Sequence, residues 1–269
     1  LLALAACAGS STRRAEFPRD GVIRVNEVQM RGTHNSYQPP LPPLERQLDE
    51  GIGQLEVDVW AQPDGRFAVY HSAADRRSTC PTLEVCLAPV RAWLDGHRRA
   101  LPVYLIVENK GEAASDALDA TVRAAFPGRV LVKPEEVVGG RWPTLAATRG
   151  RLIPVLIGAQ PRSGTMFVYA SSGPLAAITS RPDAVAQAAD IAALVRAGLV
   201  VRTQADGDDL LIDERRRQAA VDSGAQIVSA RDDGFLLPGR VSARCDPVVP
   251  SPCQPGDLEP IPTTTTTAR

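Results

Sequence analysis

Short apolar runs separated by amphipathic stretches recur along most of the chain. Strand-like runs fall at residues 25–30, 54–60, 67–70, 102–107, 129–132, 152–157, 166–169, 199–202 and 226–229. They either alternate in polarity or are apolar throughout, as expected for strands buried on one face or both. Between several of them, residues 83–98, 113–126, 182–197 and 212–223 repeat their apolar positions at helical spacing. Strands alternating with helices predict parallel βαβ units in an α/β protein. The number of strands and the length of the chain favour one TIM-type (β/α) barrel over an open doubly wound sheet. No glycine-rich loop follows a strand, which argues against a dinucleotide-binding fold.

The barrel is expected over residues 21–245. Residues 1–20 read as a truncated lipoprotein signal and tether, because Leu4-Ala5-Ala6-Cys7 has the form of a bacterial lipoprotein processing site. In that reading Cys7 is the lipidated residue. The protein is then exported, and either held at a membrane surface of the cell envelope or secreted. Residues 246–269 read as a Pro/Thr-rich tail, ending in the low-complexity run Thr263 to Thr267. The four remaining cysteines suit an oxidising compartment. Cys80 and Cys86 are close in sequence and lie in loop-like surroundings, as do Cys245 and Cys253, which predicts two local disulfides.

Composition narrows the function classes. With 44% hydrophobic and 23% charged residues the chain is an ordinary globular protein. A net charge of -1 lacks the basic excess of a nucleic-acid binder, so nucleic acid is not an expected partner.

The candidate chemistry is concentrated at strand ends. Of the 3 histidines, His34 follows the first strand-like run and His71 follows the third. His97 lies at a predicted helix end and reads as a cap. Between His34 and His71, Glu56 and Asp58 sit two apart in the run Leu55-Glu56-Val57-Asp58-Val59-Trp60, so their side chains share one face of a strand. Glu108 and Lys110 close the run Val103-Tyr104-Leu105-Ile106-Val107 in the same way. Carboxylates in apolar strands are costly to bury unless they are paired or hold a cation. Asn35, Glu56, Asp58 and Glu108 together form a hard oxygen-donor set suited to calcium. The C-terminal ends of barrel strands are where such groups collect into active sites. Lys110 and Arg202 are candidates for binding a substrate phosphate. For Arg202 a salt bridge to Asp206 or Asp208 is the competing expectation.

The ordered series Thr33-His34-Asn35-Ser36-Tyr37, Gly51 to Trp60, Val69-Tyr70-His71 and Ile106 to Lys110 resembles the phosphatidylinositol-specific phospholipase C superfamily, in particular its bacterial calcium-dependent branch. The resemblance covers about residues 25–230 and includes Trp142-Pro143-Thr144-Leu145 and Gly224 to Ser229. It implies a TIM-type barrel and a phosphodiester or phospholipid substrate, with Ca2+ on Asn35, Glu56, Asp58 and Glu108. His34 would stabilise charge in the transition state and His71 would act as general acid and base, with Glu56 a further candidate base. The inositol 2-hydroxyl would attack phosphorus, releasing diacylglycerol and a cyclic inositol phosphate. The metal-independent branch tends to carry Arg two residues after the aspartate and Asp after the first histidine. Here those positions are Trp60 and Asn35, which points to a bound cation. A glycerophosphodiester phosphodiesterase, which resembles this layout with a His-Arg-Gly motif near the first strand, is an alternative. So is a non-catalytic surface lipoprotein on the same barrel.

Overall fold

The computed structural model of the protein describes residues 17–111, 114–158, 164–207 and 212–258. Its strands, in chain order, are β1 (Val28–Thr33), β2 (Gln54–Ala61), β3 (Phe67–Val69), β4 (Val103–Asn109), β5 (Leu152–Ile157), β6 (Phe167–Val168), β7 (Ile178–Asp183), β8 (Val200–Gln204), β9 (Ile227–Ala230) and β10 (Ala243–Cys245). The helices are α1 (Leu44–Asp49), α2 (Leu83–Gly96), α3 (Ser115–Ala125), α4 (Leu145–Thr148), α5 (Ala184–Arg196) and α6 (Glu214–Asp222).

Eight strands run parallel in the order β6-β5-β4-β2-β1-β9-β8-β7. The two ends of this sheet meet at a bridge between Tyr169 and Ile178, where the Ala170 amide donates to the Ile178 carbonyl at 2.9 Å. The result is a nearly closed (β/α) barrel of the TIM type. Strand alternation divides its core. Leu55, Val57, Val59, Leu105 and Val107 face outward and pack with Leu83, Leu87 and Val90 of α2 and Leu118 and Val122 of α3. Met30, Tyr104, Ile106, Ile153, Val155, Val200 and Ile227 form a separate apolar cluster with Trp142 and Leu145, which fills the lower barrel. On the far side Val201 and Val228 pack with Ile191 and Val195 of α5 and Val221 of α6. A side chain at Gly32 would collide with Gln54, 2.2 Å from its amide oxygen, so the close approach of β1 to β2 requires glycine there.

Several elements differ from the pattern-based expectation. The run 67–70 is not a barrel strand: β3 folds back antiparallel on β2, pairing Val69 with Val59. Residues 129–132 contribute only a bridge from Leu131 to Leu152, because β5 already occupies the place beside β4. The barrel gains β7 instead, whose Ile-Thr-Ser-Arg-Pro-Asp sequence gives no strand-like alternation because only its first residues are buried. The short helices α1 and α4 and the antiparallel edge strand β10 likewise lack a sequence pattern long enough to register.

Disulfides join Cys80 to Cys86 and Cys245 to Cys253, as the spacing predicts. The packed chain continues past the boundary expected at 245: the Asp246 amide donates to the Glu27 carbonyl at 2.9 Å, and Leu258 is buried in the lower cluster. Cys7 and the threonine run lie outside the described residues. Among the described residues no helix is long and apolar enough to cross a membrane.

Asp246 caps the turn that follows β10, accepting from the Val248 and Val249 amides, while its second carboxylate oxygen is buried without a partner. Burial pushes its carboxyl up to about 6, against those two amides and Arg244. A raised carboxyl pKa in the folded state means that stability is lost as pH climbs from the unfolded value toward about 6. Asp246→Asn keeps the accepting oxygen and removes the buried charge. The variant is expected to gain roughly 1 kcal/mol over the parent at pH 7 and little at pH 4, measured by urea unfolding at both pH values.

Candidate active site

The polar face of β2 begins the site. Leu55, Val57 and Val59 must face the helices, so Glu56 and Asp58 are carried into the mouth of the barrel at its C-terminal end. Glu108 stands directly beside Asp58 in the β2–β4 register. The three carboxylates offer oxygens that all lie within 4.8 Å of one another.

The loop after β1 supplies the next groups. Asn35 adopts a left-handed backbone (φ 53°), a conformation that asparagine tolerates better than most residues. A buried polar network fixes this turn. Thr33 Oγ1 lies 2.6 Å from Ser36 Oγ and donates to Gln47 Oε1 at 2.7 Å, while Ser36 Oγ accepts from the Glu56 amide at 2.7 Å. The Asn35 amide faces Glu56 Oε2 at 3.4 Å. His34 is the first residue past β1; its amide donates to the Ala230 carbonyl of β9 at 2.8 Å, and its side chain is near enough to Glu56 to favour that carboxylate.

His71 arrives by a route that the pattern did not anticipate. The β2–β3 hairpin turns it back over the mouth, and its Nδ1 lies 3.3 Å from Asp58 Oδ2 and 3.4 Å from Asn35 Nδ2. Nδ1 donates to Asp58 in one tautomer and accepts from the Asn35 amide in the other, so the two contacts are alternatives. Trp60, on the same face of β2 as Glu56 and Asp58, stacks on Tyr70 and donates its indole N–H to the Tyr70 carbonyl at 2.9 Å. It thereby holds the residue that precedes His71. The loop beyond is tied to the His34 turn by Gln38 to Asp75 (2.8 Å) and by the Thr79 amide to the Tyr37 carbonyl (2.8 Å). The Cys80–Cys86 disulfide follows directly.

Two cations face the three acids. Lys110 Nζ is 2.7 Å from Glu108 Oε1 and 3.7 Å from Asp58 Oδ2. Arg202, only 4% exposed, forms a salt bridge with Glu56 and donates to Ser229 Oγ at 2.8 Å, with the Tyr169 hydroxyl beside it. Of the two partners expected for Arg202, Asp206 pairs instead with Arg217 at 2.9 Å, and Asp208 lies outside the described residues. The Glu56 contact joins residues 146 apart in sequence, and no local pattern announces it. No local pattern marks Tyr169 or Ser229 as part of the site; the one sequence signal for Tyr169 is a hydroxyl at the end of an apolar run. His97 caps α2, stacked on Trp93 and far from this cluster in the fold, in keeping with its expected role.

The charges are unevenly satisfied. Burial would raise the Glu56 carboxyl, but the Arg202 guanidinium, with His34 adding to it, holds it below the usual carboxylate range. Asp58 goes the other way: burial, then the like charges of Glu56 and Glu108, push it up to about 6 despite Lys110. Asp58 Oδ1 and Asn35 Oδ1 are both buried without a hydrogen-bond partner. Oxygens coordinating one calcium ion stand about 2.3–2.6 Å from it, and so no more than about 5 Å from each other. The spacing of the carboxylates and the two orphaned oxygens therefore fit a hard divalent cation.

The sequence matches the family model described as "Phosphoinositide phospholipase C, Ca2+-dependent" over residues 67–234, more than half of the 269 residues. The chain belongs to the Ca2+-dependent phosphoinositide phospholipase C family. The match takes in His71, Glu108, Lys110 and Arg202, whereas His34, Asn35, Glu56 and Asp58 precede it. The fold of this phospholipase C family member is similar to that of a calcium-dependent phosphoinositol-specific phospholipase C from a Pseudomonas species, at 18% identity and a TM-score of 0.68, over 86% of this chain and 99% of that one. It is also similar to a Ca2+-dependent phosphatidylinositol-specific phospholipase C from Streptomyces antibioticus, at 18% identity and a TM-score of 0.62, over 78% and 95% of the two chains. The phosphatidylinositol-specific phospholipase C of Listeria monocytogenes aligns at 13% identity and a TM-score of 0.53, over 79% and 92%. No curated protein sequence matches the chain significantly.

Because Arg202 is the counter-ion of a fully buried acid, Arg202→Met is expected to cost about 3–5 kcal/mol in metal-free buffer, the penalty for leaving such a charge alone. The double variant Arg202→Met/Glu56→Gln should recover most of that loss. Chemical unfolding in EDTA measures both; equal stabilities of the single and double variants would show that the pair contributes nothing.

Proposed function

We propose that this phospholipase C family member is a calcium-dependent phosphodiesterase that cleaves phosphatidylinositol-type lipids. In this reading the inositol 2-hydroxyl attacks phosphorus, diacylglycerol leaves, and a cyclic inositol phosphate forms. The observation that carries the reading is the convergence of Glu56, Asp58, Glu108 and Asn35 with two histidines at one barrel mouth, where the three carboxylates crowd within reach of one ion. Asn35, Glu56, Asp58 and Glu108 would hold the ion. When bound, calcium polarises the phosphoryl group and makes a nearby hydroxyl more acidic.

The chain's own residues supply the proton chemistry. Imidazole can take and return a proton near neutral pH, and His71, half-exposed and oriented by Asp58, is assigned the acid and base steps. His34, at the end of β1, is assigned to the charge that develops on the phosphoryl oxygens. Glu56, considered from sequence as a further base, is a weak one in this reading, since the buried Arg202 guanidinium lowers its affinity for a proton. Its proposed part is confined to the cation site. Lys110 and Arg202 bring positive charge to the same mouth, and Lys110 is the candidate for contact with the substrate phosphate. The two disulfides support an exported protein. Attachment to a membrane surface through Cys7 is the corresponding proposal for how it reaches a lipid.

The decisive assay is turnover of phosphatidylinositol vesicles with calcium, with EDTA, and with magnesium in place of calcium. Activity with calcium alone and release of a cyclic inositol phosphate are expected. His71→Ala should lower kcat by about 10²–10⁴-fold, the usual contribution of a general acid–base group. Hydrolysis of glycerophosphoinositol but not of the lipid would favour a glycerophosphodiesterase. Unchanged activity in His71→Ala would remove the mechanism.

A further inference from the structure

Lys110 and Arg202 balance the same acidic cluster in physically different ways. Arg202 is almost completely buried and is anchored by Ser229 as well as by Glu56, so it is held in place. Lys110 has its backbone pinned by the hydrogen bond that its amide donates to the Val59 carbonyl (3.0 Å), but its side chain is 28% exposed and ends on Glu108 and Asp58. Those are two of the oxygen donors that fit a divalent cation, and Asp58 Oδ1 and Asn35 Oδ1 wait beside them unpartnered.

The composition sharpens the contrast. Of the 30 basic residues in the chain 28 are arginines, and the only lysines are Lys110 and Lys133. An arginine at position 110 would present a planar fork able to grip a carboxylate through two hydrogen bonds, whereas an ammonium on a flexible stem is a single point charge that swings away readily. The lysine thus stands where a removable counter-charge is useful. Arginine stands where a permanent one is needed.

We infer that Lys110 is an exchangeable counter-ion: it neutralises Glu108 and Asp58 in the metal-free protein, is displaced when a divalent cation takes their oxygens, and then turns its ammonium toward the phosphate of the incoming substrate. The ammonium and the cation repel each other and compete for the same two carboxylates, so they cannot share them at full occupancy. Once Glu108 and Asp58 are engaged elsewhere, the Lys110 ammonium has lost both carboxylates that it contacts among the described residues and is free to meet the phosphate of the ligand. Cation binding and phosphate binding are therefore coupled, each favouring the other. This inference rests on the calcium reading above and adds an order of events to it.

Two measurements test the exchange on the full-length protein. Lysine labelled with 13C at Cε gives two side-chain signals. Calcium should shift that of Lys110 and leave that of Lys133, which lies 3.7 Å from Glu135, as an internal control. Addition of inositol 1-phosphate should move the Lys110 signal again only when calcium is present. By calorimetry, Lys110→Met should bind calcium about tenfold more tightly than the parent, the order expected for removing one competing charge-assisted contact, while its KM for phosphatidylinositol rises. If the parent binds calcium but the Lys110 signal stays fixed, or Lys110→Met binds no more tightly, the exchange is wrong and the calcium site stands. If neither protein binds calcium, the calcium reading fails and the exchange falls with it.

Discussion

The site depends on the burial of two carboxylates on one strand. Glu56 and Asp58 are drawn into the barrel by the alternation of β2, whose other face is committed to the helices through Leu55, Val57 and Val59. Removing such charges from water is expensive, and the fold answers each differently. Glu56 receives a fixed guanidinium from β8. Asp58 receives a lysine only at 3.7 Å, and burial, with the like charges of Glu56 and Glu108, holds its proton more tightly than usual. Among the described residues three acids stand against two permanent cations, Lys110 and Arg202. That deficit is what a divalent cation would fill.

The rest of the mouth follows from how this strand is bounded. Below the acids, the aliphatic and aromatic side chains of the lower cluster exclude water and confine polar groups to the C-terminal end. Above them, β2 does not pass directly to a helix but turns back as β3, which brings His71 over Asp58. Trp60 fixes that return by its stack on Tyr70 and its bond to the Tyr70 carbonyl. A residue whose sequence position argues against a built-in arginine cation thus has a positive task as well, namely the seating of the proposed proton carrier.

The contrast between Arg202 and Lys110 gives the site a static part and a movable part. The Arg202–Glu56 pair, closed off by Ser229, supports the barrel wall at β8 and β9. Lys110 lies at the open edge, where solvent and substrate arrive. Rigid support beneath a single adaptable charge is the arrangement that positions a reacting group while leaving room for ligand exchange.

Much of this was legible in the chain before folding was considered, because period-two alternation is a local property. It assigned β2, β4, β5 and β8 closely, put Glu56 with Asp58 and Glu108 with Lys110 on common faces, and marked the acids as unusual by their apolar neighbours. Cysteine spacing likewise announced both disulfides. What alternation cannot carry is information about partners distant in sequence. Whether the run ending at Tyr70 enters the barrel or folds back along it depends on which strand β2 meets next. Strand β7, polar because little of it is buried, has no pattern to detect. The pairing of Arg202 with Glu56 spans 146 residues and exists only because β8 and β2 both line one closed wall. The sequence by itself determined which side chains face inward; the tertiary structure decided which of them meet, because closure of the barrel is a long-range event that no local spacing encodes.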